Sequence, residues 1–134
     1  MQNMIIAVID DDTLDRRICA RLINVTSEDI KVLEFSNGQD ALRYYYENAD
    51  LPHNLPDIVI VDIKMPVMNG WQYLEGYEIM ETRLSKKPVH YVCTSSVDPK
   101  DHNSRKDIVR RVFTKPFEKE YVQMMIEENT LKTS

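Results

Sequence analysis

Glycine is scarce in this chain, 3 residues in 134, and that scarcity removes whole classes of phosphate-binding protein. A P-loop or a dinucleotide-binding turn needs closely spaced glycines so that backbone can approach the phosphates; neither pattern occurs here. Cysteine is rarer still. Cys19 and Cys93 stand far apart, and two distant cysteines read as free thiols rather than as a disulfide framework or a metal site. His53, His90 and His102 share no metal-ligand spacing. No apolar run approaches the roughly 20 residues of a membrane span, and the opening MQNMIIAVIDDD lacks a basic flank and a cleavage site. A soluble, cytoplasmic chain with no membrane insertion is the expectation. Positive charge is also short: the net charge of -5 argues against a nucleic-acid binder, which must neutralise phosphates with clustered Lys and Arg.

What the chain does hold is a set of short apolar runs that end in polar groups. The most informative is DIVIVDIKMPVMNGW, Asp57 to Trp71, where Ile58 to Val61 deliver Asp62 before the turn-prone Met65-Pro66 and Asn69-Gly70. Ile5 to Ile9 lead into Asp10, Asp11 and Asp12; Val89 to Cys93 lead into Thr94; Val112 and Phe113 lead toward Lys115. Open parallel α/β sheets bind ligands beyond the carboxyl ends of their strands. Four runs therefore place their polar ends at one edge.

Periodicity supports five strand-then-helix units, and the short apolar strands suit a parallel sheet covered on both faces. Strands are expected at Met4 to Ile9, Ile30 to Phe35, Ile58 to Val61, Val89 to Cys93 and around Val112-Phe113. Leu14, Ile18, Leu22 and Val25 recur at helical spacing and predict a helix from about Thr13 to Val25. Asn37-Gly38 turns into a second helix with Ala41, Leu42 and Tyr45 inward, ending near Glu47 because Pro52 and Pro56 interrupt the stretch beyond it. A third helix uses Tyr73, Leu74, Tyr77, Met80 and Leu84, Pro99 opens a fourth, and Phe117 opens a fifth with Tyr121, Val122, Met125 and Ile126 inward. The length of 134 residues and 43% apolar content fit one domain, since domains typically fall at about 100 to 150 residues.

The chemistry these strand ends suit is magnesium-dependent phosphoryl transfer onto a carboxylate. Mg²⁺ binds hard oxygens, typically one or two carboxylates with waters and phosphate oxygens completing the shell. A lysine and a hydroxyl would hold the remaining phosphoryl oxygens, because such reactions are catalysed mainly by positioning and charge neutralisation. Each residue also has a plainer reading: Asp12 is expected as a helix N-cap, a frequent role for Asp, and Ser95 and Ser96 could take the place of Thr94, which is preferred because it closes the apolar run.

The order acidic pair, strand-end Asp, Thr, Lys-Pro resembles the receiver domain of two-component response regulators over nearly the whole chain. The resemblance implies a doubly wound, flavodoxin-like (βα)5 fold with strand order 2-1-3-4-5. It also implies a phosphoacceptor at Asp62, an acidic pair at Asp10 and Asp11, a switch hydroxyl at Thr94 and a phosphate-contacting lysine at Lys115. Mg²⁺ would be held by Asp10, Asp11, Asp62 and the backbone carbonyl of Lys64, and the Lys115-Pro116 bond would be cis, an uncommon geometry that marks a purposeful bend. The implied partners are a sensor histidine kinase or His-phosphotransfer protein that donates the phosphoryl group, and a downstream protein that the residues do not name. Residues 1–134 would form a single receiver with no output domain.

Two competing readings remain beside it. A haloacid-dehalogenase-like phosphatase also forms an aspartyl phosphate, but DIKMP lacks the second acid two residues after Asp62 that DxDx[TV] requires. A pseudo-receiver that never turns over phosphate is disfavoured by the presence of Asp10, Asp11, Asp62, Thr94 and Lys115 together. The chain departs from the family pattern at Val112, where a Tyr or Phe usually changes rotamer, and across DPKDHNSRKDIVRR, which lacks the usual small residues. The face formed by the fourth helix, fifth strand and fifth helix is accordingly where the resemblance transfers least.

Overall fold

The computed structural model describes residues 4–130. Five parallel strands, β1 (Ile5–Ile9), β2 (Lys31–Phe35), β3 (Ile58–Val61), β4 (Val89–Thr94) and β5 (Val109–Thr114), form one sheet in the order β2-β1-β3-β4-β5. They alternate with helices α1 (Thr13–Thr26), α2 (Gly38–Glu47), α3 (Gly70–Met80), α4 (Pro99–Asn103) and α5 (Lys119–Thr130). The doubly wound α/β fold and its strand order are as expected. The ends of the expected 1–134 domain, residues 1–3 and 131–134, lie outside the described residues.

Side chains alternate across a strand, so odd and even positions build two separate cores. Ala7, Ile9, Val59, Val61 and Val92 pack with Ala41, Tyr45, Tyr73, Leu74 and Tyr77 on the α2–α3 face. Ile6, Val8, Ile58, Ile60, Cys93 and Phe113 pack with Cys19, Ile23, Val122 and Met125 on the α1–α5 face. Burying a Val, Leu, Ile or Phe side chain contributes about 1.5–3 kcal/mol, and all of β1 and β3 is buried. These central strands carry the site.

The structure differs from expectation in the facing or extent of five elements. Helix α1 forms where its spacing places it, but it turns a different stripe inward: Cys19, Ala20 and Ile23 are buried, whereas Leu14 is 68% and Val25 61% exposed. Two apolar stripes compete on this helix, and the one carrying Cys19, Ala20 and Ile23 packs on the sheet. Arg16 reinforces the choice, donating from Nη1 to the Asp10 carbonyl at 2.9 Å. Helix α3 stops at Met80, its continuation being a 3-10 turn over Glu81–Arg83 that still buries Leu84. Helix α4 is a single short element of five residues with none buried, since DHNSRKD offers no apolar stripe to hold it on the sheet. Strand β5 begins earlier than Val112, at Val109, and α5 starts at Lys119 rather than Phe117, because Phe117 is used as a buried plug of the α1–α5 core.

Candidate phosphoryl-acceptor site

Register brings the polar strand ends together. Ile9 of β1 pairs with Val61 of β3, so Asp10 and Asp62 leave adjacent strands at the same level, and Asp62 N–H donates to the Ile9 carbonyl at 3.1 Å. Thr94 pairs with Thr114, and Lys115 comes next, its N–H donating to the Thr94 carbonyl at 2.8 Å. Asp10 and Asp62 continue the even-numbered face of β1 and β3, while Lys115 continues the face of Phe113. All three therefore lean toward α1 and α5.

The backbone after Asp62 is shaped by close approach. Gly70 opens α3 so near the end of β3 that a Cβ there would sit 2.6 Å from the Asp62 carbonyl oxygen; the Gly70 N–H donates to the Ile63 carbonyl at 2.9 Å. Any larger residue would push the end of β3 away from α3. Asn69 caps that helix, accepting from the Gln72 N–H while the Gln72 side chain accepts from the Asn69 N–H. Just before this cap, Val67 holds a φ of 69°, a left-handed conformation in which a β-branched side chain is strained. This strained residue lies on the loop directly after the candidate nucleophile.

The carboxylates form one cluster. Ligand oxygens of Asp10, Asp11 and Asp62 lie within 4.8 Å of one another, with Asp10 and Asp62 buried and Asp11 exposed. Asp12 is the N-cap of α1, its carboxylate accepting from the Asp15 N–H at 2.9 Å. The Lys115 ammonium donates to Asp10 at 2.9 Å, to Asp15 at 2.8 Å and to Asp62 at 3.1 Å. Burial opposes charge on Lys115, but its bonds to Asp10 and Asp15 and the neighbouring carboxylate charges outweigh it and raise its pKa. Burial likewise raises the pKa of Asp10, against the lowering effect of the Lys115 contact and the Asp12 N–H. An excess of partly desolvated negative charge with one ammonium is an environment that attracts a divalent cation. Three carboxylates within 4.8 Å of one another fit Mg²⁺ in donor type.

The remaining sequence-derived residues fall around this cluster. Thr94 is fully buried at the end of β4, and its Oγ1 accepts from the Ser96 N–H at 3.2 Å. Ser95 is exposed, while Ser96 is buried and turned toward α4, donating to Asp101 and accepting at its carbonyl from His102. The Lys64 N–H donates to Asp62 Oδ1 at 3.3 Å, and its side chain is exposed. Lys115-Pro116 is cis. Beneath the carboxylates a cavity of about 60 Å³ is lined by Val8, Ile18, Cys19, Cys93 and Phe117 among others. Both thiols are free and buried, and burial pushes the Cys93 thiol up to about 12, so they are protonated packing groups. Asp15 is the residue that sequence reasoning missed; the signal available was only its place one helical turn after Asp11.

Residues 6–127 match the family model of the response regulator receiver domain. Sensor histidine kinase CheAY of Helicobacter pylori is 28% identical over 126 residues, 93% of this chain and 15% of that protein. A protein-glutamate methylesterase/protein-glutamine glutaminase of Clostridium acetobutylicum is 32% identical over 82 residues, 60% of this chain and 22% of that protein. The chain thus spans less than a quarter of the length of these curated relatives. Among solved structures, a two-component response regulator from Cytophaga hutchinsonii shares the fold with a TM-score of 0.85 at 21% identity, covering 97% of this chain and 98% of that one. A receiver domain protein from Clostridium thermocellum does so with a TM-score of 0.76 at 23% identity, covering 97% and 96%.

Proposed function

Because the chain belongs to the response regulator receiver domain family, whose general function is to accept a phosphoryl group on an aspartate, we propose that Asp62 is the phosphoacceptor. The observation that carries this reading is the Lys115 ammonium 3.1 Å from Asp62 within a cluster that also holds Asp10 and Asp11. Asp62 attacks the phosphorus of a phosphohistidine on a histidine kinase or His-phosphotransfer protein. The phosphorus–nitrogen bond breaks as the phosphorus–oxygen bond forms, and the imidazole leaves with the electron pair. Asp10, Asp11, Asp62 and the Lys64 carbonyl would hold Mg²⁺, whose chemical contribution is to neutralise phosphoryl oxygens facing the acidic pair. Lys115 neutralises another oxygen, and the Thr94 hydroxyl donates to a third.

Phosphorylation at neutral pH places nearly two negative charges at Asp62. Thr94 is thereby drawn toward the phosphoryl group, and because its Oγ1 holds the Ser96 N–H, the loop from Ser95 to Pro99 moves with it. The receiver passes this change on by protein contact. No helix among the described residues is long and apolar enough to cross a membrane. Labelling with acetyl phosphate in Mg²⁺ tests the assignment: wild type takes up acid-labile phosphate, and Asp62→Asn takes up none while keeping the wild-type melting temperature. Uptake by Asp62→Asn would sink it, and no uptake by wild type would favour the pseudo-receiver.

A further inference from the structure

Lys115 has more acids than a phosphate-binding lysine needs. An ammonium has three donors, and all three are committed in the described structure, to Asp10, Asp15 and Asp62. When Asp62 becomes an acyl phosphate its own bond to Lys115 passes to a phosphoryl oxygen, and the ammonium turns further toward that group only if Asp10 or Asp15 releases it. Asp10 is poorly suited to do so, because its side chain is 8% exposed and loss of its cation would leave a buried carboxylate without charge compensation. Asp15 is 43% exposed, and its carboxylate, on the first turn of α1, is rehydrated at little cost when it lets go.

We propose that Asp15 is a positioning residue that restrains Lys115 in the unphosphorylated protein and surrenders it when Asp62 is phosphorylated, so that it brakes phosphoryl acceptance. The inference rests on Asp62 being the phosphoacceptor. Two effects act in the same direction: Asp15 competes for the ammonium, and its charge repels an anionic donor. Neither is required to bind the cation, since the three carboxylates that converge on one point are Asp10, Asp11 and Asp62. The helix is not endangered by removing the charge, because the N-cap bond uses the Asp15 backbone N–H.

The test is Asp15→Asn, which keeps the shape and removes the charge. With acetyl phosphate below saturation and excess Mg²⁺, its labelling rate is expected to rise roughly 3- to 10-fold at low ionic strength, the size expected for one unit charge several ångströms away in a partly solvated site. The difference shrinks in about 1 M salt, where the Debye length falls to about 3 Å. Asp15→Glu returns the rate toward wild type. In metal-free protein the ¹⁵Nζ resonance of Lys115 shifts in Asp15→Asn and recovers in Asp15→Glu, which separates a role at Lys115 from a general loosening of α1. Equal or slower labelling of Asp15→Asn, or an unmoved Lys115 resonance, overturns the brake while leaving the phosphoacceptor intact. Labelling of Asp62→Asn, run in parallel, would overturn the phosphoacceptor instead.

Discussion

On the α2–α3 side of the sheet, Tyr45, Tyr73 and His90 are fully buried and joined in a chain, with the two hydroxyls 2.9 Å apart and the Tyr73 hydroxyl 2.9 Å from His90 Nε2. At the α4–β5 corner the links are more numerous but lie nearer the surface: Asp98 caps α4, Ser96 reaches Asp101, His102 reaches the Ser96 carbonyl, and Arg105 bonds Asp107 and Glu78. The first region hides its polar groups under apolar neighbours, where each link must be made because a buried unpaired group costs about 1–3 kcal/mol. The second can exchange its outer links, those of Asp98 and Arg105, for water. A frame and a yielding corner result, and segments with few buried apolar contacts open at lower free energy than the core. The yielding corner is also where Thr94 hands over to Ser96.

The network on the frame side is directional. Pro88 offers only a carbonyl, so the His90 nitrogen bonded to it is the donor and Nε2 accepts from the Tyr73 hydroxyl. That hydroxyl in turn accepts from Tyr45. The comparison can be broken most forcefully at the middle of this chain. Tyr73→Ala removes a fully buried ring as well as both links and is expected to cost about 3–5 kcal/mol, as large aromatic truncations do; a urea-derived stability within about 1 kcal/mol of wild type would mean that the frame is not held there.

Acidification sharpens the same point with a weaker effect. Burial lowers the His90 pKa from 6.5 to about 3, against a backbone hydrogen bond that raises it. The unfolded chain therefore binds a proton that the folded chain refuses between those values. Stability from this group is fully present above about pH 6.5 and is lost as pH falls toward 3, at up to about 1.4 kcal/mol per pH unit. Urea unfolding across pH 7 to 4.5 checks it, and His90→Gln is expected to be less stable at pH 7 and to have a flatter profile. An equally steep profile for that variant would assign the acid sensitivity elsewhere.

The mildest change is expected at the corner. Arg105 sits at a φ of 56° and pairs with Glu78 and Asp107, both well exposed. Arg105→Ala is expected to change stability by less than about 1 kcal/mol, as exposed ion pairs do, and a denaturant midpoint lowered by more would show that the corner is braced like the frame.

Much of the architecture is legible in the residues because short-range rules govern it. Asp12, Asn37 and Asn69 cap their helices, and the runs before Asp10, Asp62 and Thr94 form strands within a residue or two of the expected bounds. Helix α4 shows the limit of such rules: Pro99 starts a helix as expected, but nothing in DHNSRKD gives it a face to bury, and it ends after five residues.

Which polar group closes which strand is written in the chain itself, because a strand's alternation and the turn after it are local matters. Asp10, Asp62, Thr94 and Lys115 are recognisable on that basis as groups meeting at one edge. The side of α1 that faces the sheet is settled by tertiary contacts, since apolar spacing says that a stripe is buried without saying which of two stripes lets the helix approach. The same docking carries Asp15 to Lys115 and leaves Leu14 in solvent. Side chains a hundred residues apart are joined by packing distance, and packing distance is not written in the local pattern of either segment.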